Sequence, residues 1–238
     1  MAESLRLRAA GIDFVLLDIE GTTTPITFVH DVLFPYARAH VRAYLEETVR
    51  SDTQIQHIVE ELRAEAEAEG WKPEADIVSY VYWLMDRDRK IGPLKALQGR
   101  IWEQGYATGA LKGEVYPDVR DAFVRWTAGG VRISIFSSGS VLAQKLLFAN
   151  STVGDLSQFL SCYFDTGVGA KGEADSYRRI VAARDVAPSR VLFVSDVVTE
   201  LDAARSAGLR TLLCVRPRAQ TPVSSTHGVV EGFDSIAA

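Results

Sequence analysis

The chain has 238 residues, 47% of them hydrophobic and 24% charged, with a formal net charge of −5. This is enough chain for a full core plus a large insertion, and the negative balance argues against nucleic acid or an anionic membrane as a partner. Two cysteines without CxxC spacing exclude a disulfide framework or a zinc site, and with no signal-peptide core or spanning run a soluble cytoplasmic chain is expected.

The first strong element is the apolar run Ile12–Leu17, which reads as a buried parallel strand ending at Asp18. Asp18-Ile19-Glu20-Gly21-Thr22-Thr23-Thr24 follows it, at the carboxyl end of a strand, where open α/β sheets place their ligands. Alternate residues of extended chain share a face, so Asp18 and Glu20 converge on one cation or phosphoryl group; the competing reading is a simple helix cap.

The period then changes. Phe28, Val32, Leu33, Tyr36, Ala37, His40, Val41, Tyr44 and Leu45 recur at helical spacing, with Pro35 expected to kink or restart the helix. Ser51-Asp52-Thr53 caps a second helix bearing Ile55, Ile58, Val59 and Leu62 and stopping at Gly70. Pro73 suits the first turn of a third, with Ile77, Val81, Leu84 and Met85 inward, and Gly92-Pro93 separates it from a fourth stripe, Leu94, Leu97, Ile101 and Trp102. Residues 26–110 thus read as all-helical.

From Gly113 an α/β alternation returns. A helix over Val119–Trp126 closes at Gly129-Gly130, and a strand over 131–136 ends at Ser137-Ser138-Gly139-Ser140. A helix over 141–148, a strand over 159–164 and a turn holding Lys171 come next. Then follow a helix over 176–184, the apolar strand Val191–Val194 ending in Ser195-Asp196, a helix over 201–207, and a strand over 211–215. The chain beyond Arg216 reads as loosely structured, with Gly232-Phe233 as a docking point. The expected fold is α/β, a doubly wound parallel sheet with a helical insertion after its first strand.

Four strand ends carry polar groups: Asp18 and Glu20; Ser137 and Ser138; Lys171; and Ser195-Asp196 with Glu200. Carboxylates with an oxygen-rich surround suit Mg²⁺, serine hydroxyls and loop amides suit phosphate oxygens, and Lys171 suits charge developing on a phosphoryl group. Asp18 is then placed as a nucleophile. Singly, each has a plainer reading: Ser137-Ser138 as an N-cap, Lys171 as a solvated surface lysine, Asp196 as a cap, Glu200 as an exposed helical acid.

This order of motifs resembles the haloacid dehalogenase superfamily. Asp18–Ile26, Leu33-Phe34-Pro35-Tyr36, Leu97-Gln98-Gly99, Ser137–Phe148 and Phe164-Asp165-Thr166 resemble its enolase-phosphatase (acireductone synthase) branch in methionine salvage. Glu20 is the specific sign, since most of the superfamily has Asp there. The resemblance implies a core of residues 1–25 and 111–238, with 26–110 as a helical cap closing over it. It implies a phosphorylated diketone substrate, 2,3-diketo-5-methylthiopentyl 1-phosphate, enolised and then dephosphorylated with one Mg²⁺. By motif, Asp18 and Glu20 are catalytic, Ser137, Ser138 and Lys171 bind substrate, and Asp18, Glu20 and Asp196 serve the metal with Glu200 supporting indirectly. A monomer without nucleic-acid or membrane partners is expected. A phosphatase for sugar phosphates or phosphoglycolate would share every core residue, and a receiver-type signalling domain would share the sheet and the phosphorylatable Asp.

Overall fold

The computed structural model describes residues 5–72, 76–217 and 226–238. The chain divides into two compact units, Met1–Ile26 with Lys112–Ala238, and Thr27–Leu111. Among the described residues no helix is long and apolar enough to cross a membrane.

The first unit opens with β1 (Leu5–Arg6) and β2 (Phe14–Leu17). The chain then passes through α1 (Ile26–Phe28), a π-helical turn (Val29–Leu33), α2 (Phe34–Thr48), α3 (Thr53–Ala68), α4 (Ile77–Asp86) and α5 (Gly92–Ala107). It returns with α6 (Pro117–Ala128), β3 (Arg132–Phe136), α7 (Val141–Ala149), β4 (Leu160–Phe164) and α8 (Ala174–Ala183). Next come β5 (Val191–Ser195), α9 (Val198–Ser206), β6 (Arg210–Cys214), β7 (Gly228–Val230) and β8 (Ile236–Ala237).

Six strands form one parallel sheet in the order β4-β3-β2-β5-β6-β7. Every residue of β2 is buried, as expected of a parallel strand covered on both faces. Leu17 pairs with Ile135 on one side and Val194 on the other, so β2 sits where the strand order reverses. A crevice outside the carboxyl ends of strands opens at such a switch point, and Asp18 is the first residue into it. Phe14, Leu16, Phe136, Tyr177, Ile180 and Phe193 pack into the core that holds β2 and α8 together.

The helical unit follows its sequence signals closely. Asp52 caps α3, accepting from Gln54 N–H at 2.8 Å, and Leu94, Leu97, Ile101 and Trp102 of α5 are buried. The helix restarts at Phe34 with Pro35 in its first turn, as the proline implies, and Phe28 and Leu33 before it are buried. Val32 in the π turn, 39% exposed, and His40 of α2 face outward although the stripe assigned them inward. α4 starts at Ile77 with Asp76 as its cap, while Pro73 lies outside the described residues.

The reading of a loose end beyond Arg216 is corrected for residues 226–238, while 218–225 lie outside the described residues. β7 extends the main sheet, and β8 pairs with β1 in a separate two-stranded parallel sheet. Phe233 is fully buried against Trp126, whose indole N–H donates to the Ile236 carbonyl at 2.9 Å. Strands of two or three residues are too short to show a period, which is why pattern alone passes over them.

Candidate active site

The site grows from the end of β2. Asp18 is 4% exposed, and its amide donates to the Val194 carbonyl at 3.0 Å, continuing the β2–β5 ladder by one residue. Its Oδ1 accepts from Ile19 N–H at 2.7 Å and from Lys171 Nζ at 2.5 Å, and its Oδ2 from Ser195 Oγ at 3.3 Å. Lys171 Nζ also meets Glu200 Oε2 at 2.8 Å, and Ser195 Oγ reaches the same Glu200 oxygen at 3.0 Å. Four positions separated by up to 182 residues in the chain, from Asp18 to Glu200, thus form one ionic cluster.

Each member is placed by its own element. Glu200 stands in the first turn of α9, so helical geometry aims it back at the strand end. Lys171 lies in the loop after β4, which α8 holds by three donors. Tyr177 Oη donates to the Lys171 carbonyl at 2.8 Å, Ser176 Oγ to Ala170 at 2.7 Å and Arg179 Nη1 to Val168 at 2.7 Å. Burial lowers the proton affinity of the Lys171 ammonium, but Asp18 and Glu200 beside it outweigh that and hold it above its ordinary value. Burial pushes the Glu200 carboxyl up, and Asp18 adds to the effect.

Gly21 turns the chain with φ +69°, and a Cβ there would overlap the Asp196 carboxylate. The two loops therefore approach at a distance only glycine permits. Glu20, half-buried, bridges to Thr24 within the same turn. Ser137 is 3% exposed at the end of the adjoining β3, its Oγ accepting from Gly139 N–H at 3.1 Å, and Ser138 is half-buried next to it. Gln144 of α7 clamps this loop: its amide donates to the Gly139 and Phe164 carbonyls, each at 2.8 Å. Lys145 of α7 is exposed, and Arg178 of α8 pairs with Asp175 at the surface.

The sequence reading placed Gln144 in the Ser137–Phe148 motif without a role, and passed over Tyr177 and Arg216. Tyr177 stands between Ser176 and Arg178 of α8 and shows no motif of its own. Arg216 has one signal, a charged residue directly after an apolar strand.

Charge is unbalanced here. Asp18 and Glu200 share one lysine, and among the described residues no cation lies within ion-pair distance of Asp196. Burial, and secondly the Asp18 carboxylate, raise Asp196 to about 7. Among the described residues no three His, Cys, Asp or Glu side chains form a ready-made ligand cage. Mg²⁺ does not need one, since it binds through one or two carboxylates, waters and substrate phosphate. A half-buried carboxylate next to Asp18 with no ion-pair partner of its own fits such an ion.

A parallel sheet with an aspartate at the switch point and a lysine on that aspartate defines a class. Residues 12–208 match the family model for haloacid dehalogenase-like hydrolases. The chain belongs to this family and is an enzyme. Within it, the chain is 50% identical to enolase-phosphatase E1 of Synechococcus elongatus over 94% of this chain and 98% of that protein. Enolase-phosphatase E1 of Drosophila mojavensis is likewise 50% identical, over 90% of this chain and 88% of that one. Among solved structures, the UTR4 protein of Saccharomyces cerevisiae superposes with a TM-score of 0.79 at 35% identity, covering 94% of this chain and 99% of that one.

Proposed function

We propose that this chain is the enolase-phosphatase of methionine salvage, acting in the cytoplasm. It would convert 2,3-diketo-5-methylthiopentyl 1-phosphate to the acireductone, 1,2-dihydroxy-3-keto-5-methylthiopentene, and phosphate. The observation that carries the chemistry is Lys171 Nζ at 2.5 Å from Asp18 Oδ1 at the sheet's switch point. The half identity to enolase-phosphatases supports the choice of substrate.

Enolisation comes first, moving a proton from the carbon beside a carbonyl to the carbonyl oxygen. An Asp18 oxygen then bonds to phosphorus while the phosphorus–oxygen ester bond breaks. The electron pair leaves on the enol oxygen, which takes a proton from Glu20. The Glu20 carboxylate next removes a proton from water, the water oxygen bonds to phosphorus, and the aspartyl bond breaks to restore Asp18 and free phosphate. Lys171, Ser137 and Ser138 bind the phosphoryl oxygens, with Lys171 supplying fixed positive charge as they become more negative. Asp18, Glu20 and Asp196 would hold Mg²⁺, with Glu200 steadying Lys171 and Ser195 behind them. The ion supplies a Lewis acid that offsets the crowded negative charge.

The test is a substrate panel. With Mg²⁺ present, kcat/KM for the diketone phosphate should exceed that for sugar phosphates and phosphoglycolate by about 10²-fold or more. Equal turnover across the panel would make the chain a general phosphatase. Asp18→Asn should stop phosphate release, and sustained multiple turnover by that variant would remove Asp18 from the nucleophile role.

A further inference from the structure

Arg216 lies two residues past the end of β6 and is 4% exposed. Its Nε and Nη2 donate to one oxygen, the Thr22 carbonyl, at 2.9 and 2.6 Å. Its Nη1 donates to both carboxylate oxygens of Asp118 in the first turn of α6, at 2.8 and 2.7 Å. The guanidinium lies between the rings of Tyr116 and Phe233, 4.1 and 4.7 Å from their centres. Asp118 also accepts the Phe233 amide at 2.5 Å, so the C-terminal segment joins the same assembly.

Stability alone does not call for this arrangement. A buried ion pair adds little over well-packed apolar side chains of the same volume. What a guanidinium adds is direction, two donors converging on one carbonyl, which neither a lysine nor a hydrocarbon can reproduce.

That carbonyl belongs to the turn carrying Glu20, two residues upstream. The turn is compact: the Ile19 carbonyl accepts the amides of Thr22, Thr23 and Thr24 at 3.2, 2.9 and 2.9 Å, so it moves as a body. The Asp18 carboxylate is held from outside the turn by Lys171 and Ser195 and its amide by Val194, while the turn itself adds the Ile19 amide on Oδ1 and Thr23 Oγ1 on the Asp18 carbonyl at 3.1 Å. Loosening the turn at Thr22 would therefore shift Glu20 more than the Asp18 carboxylate, which keeps Lys171 and Ser195.

We infer that Arg216 is a positioning residue for proton transfer, fixing the Glu20 turn through Thr22 and tying it to α6 and the C-terminal segment through Asp118. The inference rests on the reading of Glu20 as the group that protonates the departing oxygen. Without that positioning, esters whose leaving group needs a proton should suffer, and esters whose leaving group departs unaided should not.

The experiment compares kcat/KM for phenyl phosphate and p-nitrophenyl phosphate, a quantity that reports chemistry only up to loss of the leaving group. The variants are Arg216→Lys and Asp118→Asn, with Glu20→Gln as the reference. Arg216→Lys should stay within about threefold of wild type on the nitrophenyl ester and lose about tenfold or more on the phenyl ester, a fraction of the full effect of a general acid. Asp118→Asn, which keeps the guanidinium on Thr22, should show the same split to a smaller degree and carries the test if Arg216→Lys does not fold. Equal losses on both esters, or none, alongside a clear split in Glu20→Gln, would overturn the role of Arg216 and leave Glu20 standing. Absence of a split in Glu20→Gln itself would overturn the acid role of Glu20, and the inference with it.

Discussion

Lys171 touches two of the three carboxylates at the end of β2 and β5, so its removal exposes their repulsion as well as leaving the phosphoryl group without its fixed charge. Lys171→Ala should lower kcat/KM by about 10²-fold or more, in line with losing one electrostatic contact to a transition state, about 3 kcal/mol. Steady-state phosphate release measures it, and near-wild-type activity would leave Lys171 as a structural partner of the two carboxylates with no part in binding the phosphoryl group. Asp196 gives a second handle, because its carboxyl is raised to about 7, by burial first and Asp18 second. The folded protein then holds a proton that the unfolded chain has released between the ordinary value of 3.8 and about 7, so stability falls as pH rises through that window. Glu200, also raised, adds to the same slope. In metal-free protein the melting temperature should drop between about pH 4 and about pH 7, and Asp196→Asn should flatten much of that drop. An unchanged slope in the variant would show that Asp196 is not strained by its surroundings.

At the scale of elements, α6 does more than cover the sheet. Its inner face buries Val119, Ala122, Phe123 and Trp126, and its first turn supplies Asp118 to Arg216. Its last turns hold the chain's end: Arg125 Nη2 donates to the Phe233 carbonyl at 3.0 Å and Trp126 Nε1 to Ile236. Phe233 fills the space between Trp126 and Arg216 with no exposed surface. Phe233→Ala should cost about 3–5 kcal/mol, the usual range for emptying a buried aromatic site. Urea unfolding measures it, and a loss under about 1 kcal/mol would mean that the surroundings collapse to fill the cavity. α8 has the matching role on the other side of β2, where Ser176, Tyr177 and Arg179 each fix one carbonyl of the Lys171 loop.

At the scale of the molecule, the site carries more negative than positive charge before any substrate phosphate arrives. Binding a phosphate ester there requires a further cation, which is the physical case for Mg²⁺. Chelation should abolish phosphate release and added Mg²⁺ restore it. A ligand that binds only the folded state also stabilises it, by about 2.7 kcal/mol at a hundred times its Kd, so the metal-free protein should melt higher as Mg²⁺ is added. Melting curves with and without the ion check this independently of turnover.

The sequence by itself determined the parts whose signals are local. Val191–Val194 and Phe14–Leu17 are apolar runs because parallel strands are buried on both faces, and Asp52 and Gly70 mark helix ends because unpaired backbone groups must be satisfied there. Asp18, Glu20, Ser137, Lys171, Asp196 and Glu200 were legible as polar residues just past strand ends. Only the tertiary structure decided which of them meet. Lys171 reaches Asp18 because β4 lies two strands from β2 and α8 pins the intervening loop, which no spacing along the chain encodes. The contacts of Arg216 and the paired strands near the two ends were not legible for the same reason. Their partners are 98 to more than 200 residues away, and a single polar residue or a two-residue strand carries no period that announces its partner.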